Sequence, residues 1–266
     1  MKKKNKAIYL LFLMPFVYFA TACFVMWLVK TSGIYPSGSD TMYHVYRGDY
    51  VYNAIKSGNW YPLYDPAWYN GVEILRYWSP LPAYVMAFCQ YLAGGSQFGA
   101  YLFYIGGVCF LGACVWPFIG RGFDRPYLGA FIGLLWFFMP NNLYALFVEG
   151  NLARSLSMIF LPIFIYAVYK YFDSLKTRQL LFITLSLLLI AMCHAGYAVM
   201  VATFAIIYGI IYCIQNKRII VLSDVIISMV LSFVIYGIWI IGVFRIGKSS
   251  LYLSLIHISE PTRLRR

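Results

Sequence analysis

The sequence predicts an all-α, polytopic membrane protein with a long polar loop after its first helix. Three observations predict it. Of 266 residues, 62% are hydrophobic and 11% charged, against about 25% charge in ordinary soluble domains. Apolar runs near the length that crosses a hydrocarbon core, about 20 residues, recur along the chain. Basic residues fall in short clusters between those runs, the pattern that orients membrane helices. That placement argues against a nucleic-acid partner, despite a net charge of +12. The 25 Tyr, 21 Phe and 7 Trp suit helices whose ends sit in a headgroup layer.

Taken in order, the basic stretch Met1–Lys6 precedes the apolar run Ile8–Val29. The run is too long and bulky for a cleaved signal peptide, so it reads as a retained anchor with a cytoplasmic N-terminus. The loop at 31–80 holds 9 Tyr, 3 Trp and no Phe. Leu81–Leu92 is apolar but short for a crossing. Further runs occupy Phe98–Ile119, Pro126–Pro140, Leu156–Tyr169, Leu180–Cys193, Tyr197–Ile214 and Ile219–Phe244. If Leu81–Leu92 does not cross, Arg121–Arg125, Lys170–Arg178 and Lys217-Arg218 all fall on the cytoplasmic side. Seven crossings result, and the positive-inside tendency is satisfied. The six Cys form no CxxC and lie mostly in apolar runs, where a thiol packs as a small hydrophobe.

That topology gathers the varied polar residues on the outer face. In the first outer loop, Ser37-Gly-Ser-Asp40 reads as a helix start, with a helix over Thr41–Lys56 ended by Gly58. Asp40 and His44 are four apart and share a face, with Arg47 in reach. Gly48 weakens the helix and leaves room for a ligand or a neighbouring helix. Interleaved Tyr and Trp suit a surface-lying helix. A carboxylate at such an interface can act as a general base or hold a divalent cation against a phosphate. Asp40 suits either role and equally suits a simple cap. Asp49 is the reserve acid. Glu149 and Arg154 flank a short turn and can pair with each other or serve the site. His194, between two apolar runs, serves either helix packing or substrate contact.

These residues carry a resemblance. The first helix, then GSDTMYH, then SGNWYPLYDPAWYNGVEILRYWSPLPAY, resembles bacterial multi-pass proteins catalogued as 6-pyruvoyl-tetrahydropterin synthase-related membrane proteins. Those resemble the GT-C superfamily of integral membrane glycosyltransferases. The resemblance implies a GT-C-like helical bundle with juxtamembrane helices in the first outer loop. It implies Asp40 as catalytic base or metal ligand, with His44 assisting. Arg47, Asp49, Glu149, Arg154 and His194 are the expected substrate contacts. Implied too are a polyprenyl-phosphate sugar donor in membrane lipid and a divalent cation such as magnesium or manganese. Pterin chemistry is not expected, because the zinc site of soluble pterin synthases needs clustered histidines. A non-catalytic envelope assembly protein and a transporter or flippase of lipid-linked glycans stay open as alternatives.

The last residues read differently. Leu253–Arg263, LSLIHISEPTR, resembles the in-frame translation of a sequencing-library transposase adapter. Residues 253–266 are therefore expected to be non-native, His257 with them. Residues 1–252 are expected to be an incomplete transmembrane domain.

Overall fold

The computed structural model describes residues 2–36, 38–68, 71–216 and 221–239. Lys217-Arg218, the last part of the run to Phe244 and the tail at 253–266 lie outside the described residues. The helices are α1 (Lys2–Ser32), α2 (Thr41–Lys56), α3 (Ile74–Tyr77), α4 (Leu81–Leu92), α5 (Gln97–Gly122), α6 (Pro126–Leu135), α7 (Pro140–Leu143), α8 (Leu152–Ser174), α9 (Arg178–Cys193), α10 (Ala195–Asn216) and α11 (Val221–Trp239). Among the described residues, six segments are long and apolar enough to cross a membrane: Phe12–Ser32, Gln97–Gly122, Pro126–Glu149, Leu152–Ser174, Ala195–Asn216 and Val221–Trp239. Their outward faces are apolar, with Phe16, Phe118, Phe204, Ile214 and Ile238 all exposed. Such faces suit a lipid solvent and not water.

Two expected elements differ in form. The run predicted at Pro126–Pro140 continues to Glu149 but is broken. A 3₁₀ turn at Trp136–Phe138 follows α6, and a π-helical turn at Tyr144–Glu149 follows α7. Pro140, at the start of α7, has no N–H to continue the ladder. The helix α9 has 16 residues, about 24 Å at 1.5 Å per residue, short of a hydrocarbon core of about 30 Å. Its two ends nonetheless meet opposite ends of the bundle, as the contacts below establish.

Contacts along the helices set their directions. Phe19 packs on Phe110 and Tyr35 on Phe98 and Tyr101, so α1 and α5 are antiparallel. Tyr104 donates to Leu152 O at 2.8 Å, while Phe123 packs on Tyr166 and Tyr169, so α5 and α8 run together. Tyr212 donates to Phe172 O at 2.8 Å, bringing the end of α10 to the end of α8. Thr184 Oγ1 donates to Ser228 O at 3.2 Å and Ser232 Oγ to Thr184 O at 2.9 Å, a polar seam between α9 and α11. Such interhelical bonds contribute on the order of 1 kcal/mol each where water is scarce. At the far end of that seam, Ser79 Oγ donates to Ala191 O at 2.7 Å and lies 3.1 Å from the Tyr236 hydroxyl.

One end of the bundle therefore holds Arg121–Arg125 and Lys170–Arg178. Asn216 and Val221, the described residues on either side of Lys217 and Arg218, lie there too. The other end holds Asp40, Ser79, Glu149–Arg154 and His194. The short helix α4 begins and ends at this second end, packed on α2 and α5. Gly48 serves that packing: a Cβ there would strike the Met86 side chain, so the room is taken by a neighbouring helix. The positive-inside tendency leads us to expect the first end on the cytoplasmic side. In a cysteine-free background, Asn59→Cys is expected to label from outside intact cells and Lys176→Cys is not; labelling of the second without the first overturns this orientation.

Candidate functional site

The long loop after α1 reaches the bundle through one backbone turn. The Asp40 N–H donates to Glu149 O at 3.1 Å, and Ser39 Oγ donates to the same oxygen at 3.1 Å. The turn is sharp because Gly150 adopts φ +68°, the left-handed region that glycine enters freely. A Cβ on Gly38 would lie 2.5 Å from Gly150 Cα. Two residues more than a hundred positions apart thus meet as bare backbone, and that contact sets the height of Asp40 above the bundle.

Asp40 occupies the N-cap position of α2, but its side chain makes no capping bond. The simple-cap alternative is therefore not what the carboxylate does here. It is exposed, 3.2 Å from Ser39 Oγ. One turn on, His44 is 8% exposed. Burial pushes its pKa down to about 3, and the neighbouring Arg47 and His194 push the same way. An imidazole that resists protonation is a neutral donor–acceptor at any ordinary pH. In the unfolded chain His44 titrates near 6.5. Below that pH the unfolded chain binds a proton that the folded protein refuses, so stability falls as pH drops from about 6.5 toward about 3. The substitution His44→Gln is expected to flatten that decline, read as the thermal midpoint in detergent against pH. An unchanged slope would contradict a buried neutral His44.

His194 separates α9 from α10. Its Nδ1 accepts from Tyr197 N at 3.1 Å, so the imidazole caps α10. An accepting Nδ1 places the proton of the neutral ring on Nε2. Burial lowers its pKa, with Arg154 adding to the effect. Structural capping occupies one nitrogen and leaves Nε2 for another partner.

Glu149 and Arg154 do pair, with Nη1 2.8 Å from Oε2. Arg154 Nη2 also donates to Asn141 Oδ1 at 3.1 Å, and Asn151 Oδ1 accepts from Arg154 N at 3.0 Å to cap α8. Asn141 was not foreseen as a partner; its place directly after the helix-starting Pro140 was the available signal. Arg47 is 2% exposed and donates from Nη2 to Ser79 O at 3.4 Å. The structure thus brings together Asp40, His44, Arg47, Glu149, Arg154 and His194. Asp49 stands apart on the α4 side of α2, where its carboxylate accepts from Gln90 Nε2 at 2.6 Å and Asn53 Nδ2 at 3.1 Å.

Among the described residues, no group of three or more His, Cys, Asp or Glu side chains is arranged to hold a metal ion. A divalent cation at Asp40 would need substrate oxygens and water to complete its shell.

The profile described as 6-pyruvoyl-tetrahydropterin synthase related domain, membrane protein, matches residues 75–254. The match takes in α4 to α11, with Glu149, Arg154 and His194, and begins after Asp40, His44 and Arg47. No curated protein and no solved structure matches the chain.

Proposed function

From the premise that the chain belongs to the 6-pyruvoyl-tetrahydropterin synthase related family of membrane proteins, we propose that it transfers a sugar from a polyprenyl-phosphate-linked donor at the outer face of the membrane. The observation that supports this reading is the convergence at one end of the bundle. There an exposed carboxylate, two neutral imidazoles and two guanidiniums meet around the docked outer loop. Such a set matches a donor whose tail stays in lipid while its phosphate and sugar meet polar groups.

In this reading Asp40 takes the proton from the acceptor hydroxyl. The acceptor oxygen then bonds to the anomeric carbon as the carbon–oxygen bond to phosphate breaks. The prenyl phosphate leaves with that electron pair. Arg47 and Arg154 face its growing negative charge, where preorganised cations act most strongly. His44 and His194 Nε2 orient hydroxyl or phosphate oxygens, and Glu149 holds Arg154 in place. A divalent cation beside Asp40 would supply further charge neutralisation. Residues 1–252 are the transmembrane unit of this enzyme in the proposal, and 253–266 is the adapter-derived tail.

A second reading, transport of a lipid-linked glycan, is favoured by the broken helix at Pro126–Glu149, since transporters build sites from interrupted helices. Reconstituted protein given a radiolabelled polyprenyl-phosphate sugar separates the two. Transfer releases label from the lipid phosphate, whereas transport moves the donor between leaflets intact.

A further inference from the structure

Arg47 is the least compensated charge among the described residues. Its guanidinium is nearly out of water, 2% exposed. No carboxylate among the described residues forms an ion pair with it. Its Nε has no hydrogen-bond partner among them, and the bond from Nη2 to Ser79 O is long at 3.4 Å. Two aromatic faces cover it, Tyr43 at 5.3 Å and Trp78 at 5.5 Å from ring centroid to Cζ. Ring contacts of this kind are weaker than a charge-assisted pair. They do not offset the desolvation of a guanidinium, which is several times larger. Burial accordingly lowers the pKa of Arg47. The nearby His44 is neutral and of no help as a counter-ion.

The surroundings differ in access to solvent. Arg47 lies on the buried face of α2, and Ser79 is fixed by Ala191 and Tyr236. Trp78 is 41% exposed, so the ring over the guanidinium is itself at the surface. It also packs on Tyr43, with ring centroids 5.3 Å apart, and the guanidinium beneath the two rings is a planar fork of the kind that pairs with two oxygens of a phosphoryl group.

We propose that Arg47 is a receptor for one phosphoryl anion, and that Trp78 is an aromatic cover that moves aside to admit it. The proposal rests on the reading of this end of the bundle as a site for a lipid-linked phosphate. Its ligand is a phosphate monoester or diester, presented by a prenyl lipid or as a free anion. Binding, not transfer, is its readout, so loss of the enzyme reading and loss of the receptor are separable results.

The test uses the full chain in detergent, with the thermal midpoint followed against farnesyl phosphate, farnesol and inorganic phosphate. Farnesyl phosphate is expected to raise the midpoint by several degrees, and farnesol to leave it unchanged. An equal shift by inorganic phosphate supports the anion receptor and assigns it to a free anion. In Arg47→Lys, which keeps charge but loses the fork, binding is expected to weaken about tenfold or more. Trp78→Ala removes the cover and is expected to tighten binding several-fold. It also carries the test if Arg47→Lys does not fold. Equal shifts by farnesol and farnesyl phosphate overturn the proposal. So does unchanged affinity in folded Arg47→Lys, or weakened affinity in Trp78→Ala.

Discussion

An Asp40→Asn protein is expected to stay folded in the membrane and to lose roughly 100-fold or more in turnover, the scale of a general base or a preorganised charge. The geometry separates the two effects. The backbone of Asp40 docks the loop through its N–H to Glu149 O, and Asn leaves that bond in place. The carboxylate itself caps nothing, so its replacement does not release an orphan amide. What Asn removes is the negative charge at the mouth of the bundle. The measurement is sugar release per mole of detergent-extracted folded protein. Wild-type turnover in Asp40→Asn would end the catalytic assignment, and the loss of folded protein along with activity would return Asp40 to a structural role.

The second large effect is expected at Gly150. An alanine there meets two penalties. Left-handed backbone costs an L-residue about 1–2 kcal/mol, and the new Cβ collides with Thr41 at the start of α2. Overpacking of that kind adds about 1–3 kcal/mol. Gly33 is the control, because it has φ +69° and nothing within 4 Å of a built Cβ. Gly33→Ala is expected to show the backbone term alone. Gly150→Ala should unfold at a clearly lower temperature, by about 2–4 °C for each additional kcal/mol, and should lose activity as α2 lifts from the turn. Equal midpoints for the two variants would mean that the contact between the outer loop and the 149–151 turn carries little of the site's stability.

Much of this arrangement was legible in the residues. Apolar length and the placement of Arg and Lys gave the helices, their alternation and the short α4 that stays at one end. The polar residues left over then had to collect at the opposite end, and Asp40, His44, Glu149, Arg154 and His194 do. The spacing of Glu149 and Arg154 across a turn permitted their pairing, seen here with Nη1 2.8 Å from Oε2, and equally permitted a role at the site. Other features depend on contacts that no local pattern encodes. Asp49 sits two residues from Arg47 on the same helix, yet only the docking of α4 decides that its carboxylate meets Gln90. The π-helical turn before Gly150 is a tertiary compromise that brings Glu149 O to the Asp40 amide, and an apolar run cannot announce it. The cap made by His194 needs a one-residue corner between two helices, which hydropathy shows only as a gap. The aromatic cover on Arg47 comes partly from Trp78, which is far from Arg47 in sequence and was read only as part of an aromatic loop.

The proposed chemistry is cleavage, at this end of the bundle, of the sugar–phosphate bond in a lipid-linked donor. Its most direct test is to reconstitute the wild-type protein, with an acceptor-containing membrane extract, on a polyprenyl-phosphate donor radiolabelled in the sugar. Label is expected to leave the prenyl phosphate and appear on acceptor in proportion to folded protein, and Asp40→Asn is expected to lower the transfer by roughly 100-fold or more. Donor recovered intact, with its label unmoved while the wild-type protein is folded and membrane-inserted, would contradict it.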